Sequence, residues 1–259
     1  MNLRHLARWS GGAAAQALVR LAYPYGSRRR IRRGALRGHK IVVAPAMGFT
    51  FLWNLDAETW SWTPLVKPGS TVYDVGANSG QSTLHLAEAV GAAGRVVALE
   101  PMPQAFRRMA ENVRSNGLTQ VTPVESAASD EDGVAEFALD VADPTLGRLG
   151  GGKTWDLPIH TASIQVKVLR LDSWRELGWP PPDFLKIDVE GGAGAVLAGA
   201  RAILSTVRPP IYIELHDKPE QAAVKEALEL HRYRATALTY GTVEDLTSRW
   251  ASPLYCEPL

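Results

Sequence analysis

Apolar positions along this chain follow two spacings that take turns. Five short runs have the length and β-branched content of buried strands: Val72–Val75, Arg95–Glu100, Val121–Ser126, Asp183–Val189 and Ile211–Leu215. Between them the spacing turns helical. After Gly80, residues Leu84, Leu86, Ala87 and Val90 are apolar with polar residues between them. After Pro103, residues Phe106, Met109, Ala110 and Val113 recur at i, i+3, i+4 and i+7, with Gly117 as the cap. Val196, Leu197, Ala200, Ile203, Leu204 and Val207 give a third helix before Pro209-Pro210, and Pro219–His231 a fourth. Two last strands fall near Arg234–Leu238 and Ser252–Glu257. Alternation of this kind predicts an α/β fold, a mostly parallel sheet with helices on both faces. Val134–Leu139 and Ser163–Leu169 interrupt it as an inserted hairpin, joined through a glycine-rich loop over Asp143–Lys153.

Charge changes the picture at the N-terminus. Residues 1–40 hold ten Arg or Lys and no acid, while the rest of the 259-residue chain carries 18 basic against 27 acidic residues. Leu3, Leu6, Ala7, Ala14, Ala17, Leu18 and Leu21 share one face of a helix that Gly11-Gly12 weakens. This basic extension either packs on the main domain, residues 41–259, or meets an anionic surface through Arg28–Arg33. Residues 41–68 read as cap or lid elements, with a short antiparallel pair over 39–53; Trp53, Trp60 and Trp62 serve either as core or as a cleft lining. Gln16 and Arg20 interrupt the apolar stretch that a signal peptide needs. No apolar run approaches the ~20 residues that span a bilayer. A lone cysteine, Cys256, rules out an internal disulfide framework. The expectation is a cytoplasmic protein, with a peripheral membrane contact as the alternative for residues 1–40, and no specific nucleic-acid partner.

Chemistry gathers where strands end. Asp74 precedes a turn, Gly76-Ala-Asn-Ser-Gly80, that leads from strand to helix. Glycines let a ligand approach the backbone, and N–H groups opening the helix suit a carboxylate. Glu100 ends the next strand 24 residues after Gly76, where a doubly wound fold places an acid for ribose hydroxyls. Asp188 with Glu190, and Glu214 with His216, straddle two further strand ends, and the period of two turns each pair to one face. The bland reading makes Asp188 or Glu190 a helix cap and His216 a surface histidine.

Five motifs carry a resemblance: Val72-Tyr-Asp-Val-Gly-Ala-Asn-Ser-Gly80, Ala98-Leu-Glu-Pro101, Ala127-Ala-Ser129, Lys186-Ile-Asp-Val-Glu-Gly191 and Ile213-Glu-Leu-His216. In this order and spacing, over about residues 65–216, the chain resembles the FkbM family of S-adenosylmethionine-dependent methyltransferases. The resemblance implies a Rossmann-like class I methyltransferase fold, with a seven-stranded, mostly parallel sheet whose last strand is antiparallel. It implies S-adenosylmethionine as cofactor, held by Asp74, Gly76, Ala77, Asn78, Gly80, Glu100 and Pro101, with Ala128 and Ser129 flanking adenine. It also implies O-methylation of a hydroxyl on a glycan, polyketide or other polyhydroxylated small molecule. One position departs: the family reads Lys-Ile-Asp-Val-Glu-Gly-Ala-Glu, and Ala193 stands here in place of the last acid.

Asp188, Glu190, Glu214 and His216 are the catalytic candidates. A metal route would use the three acids as oxygen ligands. A metal-free route, preferred here with no metal assigned, would use His216 as base near its ordinary pKa of ~6.5. Ala193 also leaves room for an inactive, binding-only module. A nicotinamide-dependent oxidoreductase fits less well, because the turn lacks Gly-x-Gly-x-x-Gly spacing and no Tyr-x-x-x-Lys pair occurs.

Overall fold

A computed structural model describes residues 21, 23–43, 52, 60, 62–140, 147–149, 161–238 and 253–259. Trp53 and most of the extension lie outside the described residues, as does the proposed helix over 3–21 apart from Leu21. The chain begins with a hairpin of β1 (Arg28–Arg30) and β2 (Lys40–Val42). So β2 pairs with a strand inside the basic extension; the partner expected from the sequence, residues 49–53, lies outside the described residues apart from Leu52.

The main sheet follows as β3 (Thr71–Val75), α1 (Gln81–Val90), β4 (Arg95–Leu99), α2 (Pro103–Ser115) and β5 (Val121–Val124). After an insertion come β10 (Phe184–Ile187), α3 (Ala193–Ala198), β11 (Ile211–Ile213), α4 (Lys218–Leu230), β12 (Tyr233–Ala237) and β13 (Leu254–Pro258). Seven strands stand in the order β12-β13-β11-β10-β3-β4-β5, and only β13 runs antiparallel to its neighbours. All five residues of β3 are buried, as expected for a central strand covered on both faces. The period of two divides them. Tyr73 and Val75 pack with α3 and α4, while Val72 packs with α1 and α2. Asp74 shares the α1 side with Val72, and its register partner on β10 is Lys186.

On α2 the buried residues are Ala105, Met109, Asn112 and Val113, with Phe106 and Ala110 only half-buried. The face is rotated because α2 carries the hairpin as well as the sheet. Asn112 Oδ1 accepts from Val42 N, and Asn116 makes a two-way pair with the backbone of Lys40. Trp62 stacks on Tyr212 at 4.3 Å between ring centres and is core. Trp60 stacks on His85 at 4.4 Å.

The insertion is larger than a hairpin. The strands β6 (Ala127–Ala128), β7 (Gly133–Asp140), β8 (Gly147–Leu149) and β9 (Thr161–Leu169) form a second sheet in the order β6-β9-β7-β8. Phe137, Val166 and Val168 pack on Met102, Ala105 and Ala127, which fixes this sheet beside the end of β4.

Candidate active site

The turn after β3 is built from the inside. Asp74 is fully buried and its two oxygens accept from Ser82 Oγ and Thr83 Oγ1 of α1, with Lys186 Nζ at 3.2 Å. It shapes the turn from beneath and reaches no open space. Gly76 takes φ +79°, and a Cβ there would stand 1.9 Å from the Asp188 carbonyl oxygen. Only glycine allows this crossing of chains. Gly80 begins α1 at φ +85°, packed on Met109.

The N–H groups of this turn are already used. Gly76 and Ala77 donate to Leu99 O, Asn78 to Glu100, Ser79 to the Asn78 side chain and Gly80 to Ala77 O. The turn is therefore a preformed scaffold, and Gly76 and Asn78 of it line the cleft. Its product is the position of Glu100. One carboxylate oxygen accepts from Asn78 N and the other from Met102 N, both at 2.8 Å. Burial pushes this acid up to about 7, against the pull of those two N–H groups and of Lys186.

Glu100 forms part of a cleft with about 760 Å³ of free space, its open mouth included. Gly76, Asn78, Pro101 and Ser126 adjoin the acid, and Ala128, Phe137 and Leu149 form an apolar wall from the insertion side. Asp188, Val189 and Glu190 close the opposite side. Ala77, Gly80 and Ser129 lie behind this lining. Ala77 is core, and Ser129 donates its hydroxyl to Asp130.

Beyond β10 and β11 the side chains are charged and mutually paired. Lys186 is buried with Nζ 3.4 Å from Asp188 and 3.1 Å from Gly76 O. Burial opposes its charge, but Asp74, Asp188 and Glu214 hold it protonated. His216 Nε2 faces Asp188 at 3.1 Å and Nδ1 faces Glu190 at 3.4 Å. Burial would lower the imidazole pKa, but Asp188, Glu190 and Glu220 raise it to about 9. A ring with a carboxylate at each nitrogen is an imidazolium at neutral pH. This corrects the expectation of a free base near 6.5. Burial raises Asp188, yet Lys186 and His216 overcome that and hold it well below the usual carboxylate range. Glu214 moves the other way, pushed up by Asp188 and by burial, and accepts from Tyr212 Oη at 2.8 Å. It sits at the rear of the group, outside the cleft lining. Among the described residues no three acids, histidines or cysteines converge as a metal-ligand set. The cationic places beside Asp188 are filled by Lys186 and His216.

Glu220 was not foreseen. From α4 it accepts His216 N at 2.6 Å and Ala193 N at 3.0 Å, with its carboxyl almost fully buried. It therefore brings an acid to the start of α3, where Ala193 lacks one. The spacing Asp217-x-x-Glu220 was the available signal, since it matches a capping box. Asp217 does cap α4 by accepting from Glu220 N, but the Glu220 carboxyl turns away to α3. Ser126, Phe137 and Leu149 were also missed, because the insertion brings them to the cleft only once it is folded.

A parallel sheet with one antiparallel strand and a cleft across the ends of β3, β4 and β10 is the arrangement of a class I methyltransferase. Residues 74–236 match the family described as the methyltransferase FkbM domain, and the chain belongs to that family. It is 31% identical over 220 residues to AMB antimetabolite synthetase AmbE of Pseudomonas aeruginosa, covering 69% of this chain and 10% of that protein. To a protein-L-isoaspartate O-methyltransferase of Aeropyrum pernix it is 32% identical over 110 residues, 39% of this chain and 42% of that one. The chain thus spans less than half the length of either curated relative. Among solved structures, a methyltransferase FkbM from Methylobacillus flagellatus aligns at 17% identity, covering 80% of this chain and 53% of that chain, with TM-score 0.49.

The cofactor of this family is S-adenosylmethionine, and the cleft suits it. Each Glu100 oxygen has spent one acceptor site on a backbone N–H and keeps another for a ribose hydroxyl. Ala128, Phe137 and Leu149 give an apolar wall for adenine.

Proposed function

We propose that this protein methylates a hydroxyl oxygen of a glycan, polyketide or other polyhydroxylated small molecule, seated where Asp188 and Glu190 form the cleft wall. One observation carries the reading: the His216 ring is clamped between these two carboxylates, beside a cleft that has Glu100 on its other side. When bound, S-adenosylmethionine supplies a methyl group on a good leaving group, so the protein has to align the acceptor and receive a proton.

The residues divide that work. Asp188 is stabilised as an anion by two cations and is a weak base, but it can hold an acceptor hydroxyl by hydrogen bonding. Glu190 lines the cleft beside Asp188, with the His216 ring at 3.4 Å, and is the group assigned to take the proton. His216 keeps both carboxylates in place and offsets the charge between them. Glu220 supports it from behind by fixing the His216 backbone. The same residue caps Ala193, which weakens the reading of the chain as an inactive module.

Methyl transfer to a panel of hydroxylated acceptors tests the assignment. Glu190→Gln should lower turnover by ~10²–10⁴ with cofactor affinity intact. Activity in the parent protein should survive chelation and fall as pH rises through about 9, where His216 loses its proton. Activity lost in chelator and restored by magnesium would overturn the metal-free assignment. Full activity in both Glu190→Gln and His216→Ala would place the acceptor elsewhere.

A further inference from the structure

The hairpin and α2 bring together arginines that lie far apart in the chain. Residues 28–40 carry seven basic side chains and no acid. Arg28, Arg30, Arg32, Arg33, Arg37 and Lys40 are all exposed. The hairpin holds a fixed place, because Asn112 and Asn116 of α2 bind the backbone of Val42 and Lys40. Across this junction a shallow open concavity is lined by Arg28 from β1 and by Arg107 and Arg108 from α2. Glu111 lies within it, paired to Arg28 at 2.8 Å and to Arg114. One acid among three arginines leaves the concavity cationic, and the hairpin extends the charge beyond it.

Apolar side chains flank the basic ones. Leu21 and Tyr25, just before β1, are 76% and 49% exposed. Exposed Leu and Tyr beside arginines suit a lipid bilayer, where the rings and alkyl groups enter the interface and the guanidinium groups meet phosphates. A nucleic acid would use the arginines and leave Leu21 in water. Among the described residues no helix is long and apolar enough to cross a membrane, so any attachment through them would be to the surface.

We infer that the β1–β2 hairpin and the Arg107–Arg114 segment of α2 form one composite surface that docks on an anionic membrane. Its arginines act from both sides of the Asn112–Asn116 junction, so the surface exists only in the folded protein.

Co-sedimentation of the full chain with vesicles tests this. With roughly one-third phosphatidylglycerol in phosphatidylcholine, binding should be strong at low salt and disappear as salt rises, with none to phosphatidylcholine alone. Each basic residue near such a surface is worth roughly fivefold in partitioning, so Arg32→Gln with Arg33→Gln should weaken binding by about 25-fold. Arg107→Gln with Arg108→Gln should weaken it equally, although these residues lie far from the hairpin in sequence. If that pair melts early, Arg114→Gln, at an exposed position, should still cost about fivefold. Unchanged binding in properly folded helix variants would overturn the composite surface in favour of a simple basic segment. Equal binding to neutral vesicles, or retention on duplex DNA without binding to vesicles, would overturn the membrane assignment.

Discussion

Glu100 and Asp188 end strands on either side of β3, and the two acids are driven in opposite directions. Glu100 is buried with only backbone N–H groups against its oxygens, and its pKa climbs to about 7. Asp188 has Lys186 at 3.4 Å and His216 at 3.1 Å, and its pKa falls. Both lie in one cleft. The acid with no cation in contact keeps acceptor sites facing the cleft. The acid with two cations already has its partners and holds neighbouring groups in place. Position at a strand end therefore nominates a site acid, and the nearest cation decides which kind it is.

The comparison can be broken hardest where the two halves touch. Gly76→Ala would put a methyl 1.9 Å from the Asp188 carbonyl in a backbone region that favours glycine. It should cost at least about 4 kcal/mol, seen as a large fall in melting temperature. A normal melting curve would mean that the two strand ends can separate freely.

Lys186→Met comes next. It leaves Asp74 and Asp188 without their shared cation and should cost about 3–5 kcal/mol in urea denaturation at pH 7. Part of that loss should return at acid pH, once the stranded carboxylates can bind protons. A pH-independent loss would mean that packing alone is at stake.

The smallest effect sharpens the other half. Glu100→Ala should weaken S-adenosylmethionine by about 1.5–3 kcal/mol in calorimetry. In the parent protein the sign follows from the raised pKa. Below about 7 Glu100 carries a proton that must leave before both oxygens can accept from the ribose. Affinity should therefore rise with pH, by at most roughly tenfold per unit, and level off above about 7. A flat profile between pH 5 and 8 would mean that the ribose is held elsewhere.

Much of this arrangement was legible because it depends on local pattern. All seven strands of the main sheet fall within a residue or two of the predicted runs; the central ones, buried on both faces, announce themselves by nearly unbroken apolar sequence. Asp188, Glu190, Glu214 and His216 were brought together by strand parity alone. What escaped depends on partners distant in sequence. Asp74 looked like a ligand-facing acid until α1 turned Ser82 and Thr83 onto it. His216 looked like a base until its second carboxylate came into place. Glu220 reaches Ala193 only because α3 and α4 pack side by side, and no spacing within either helix records that contact. The β1–β2 pairing was hidden because Arg28–Arg30 carries no apolar period at all.

The Asn112 and Asn116 anchors also set an order of events during synthesis. The hairpin they hold is made early, yet its backbone partners follow 70 and 76 residues later. A ribosome adding ~5–20 residues per second delivers those asparagines several seconds after Val42, with further delay before α2 clears the exit tunnel. Through that interval the arginine-rich segment lacks its platform. The N-terminal part of the chain is thus completed late, when a helix from the middle arrives to receive it.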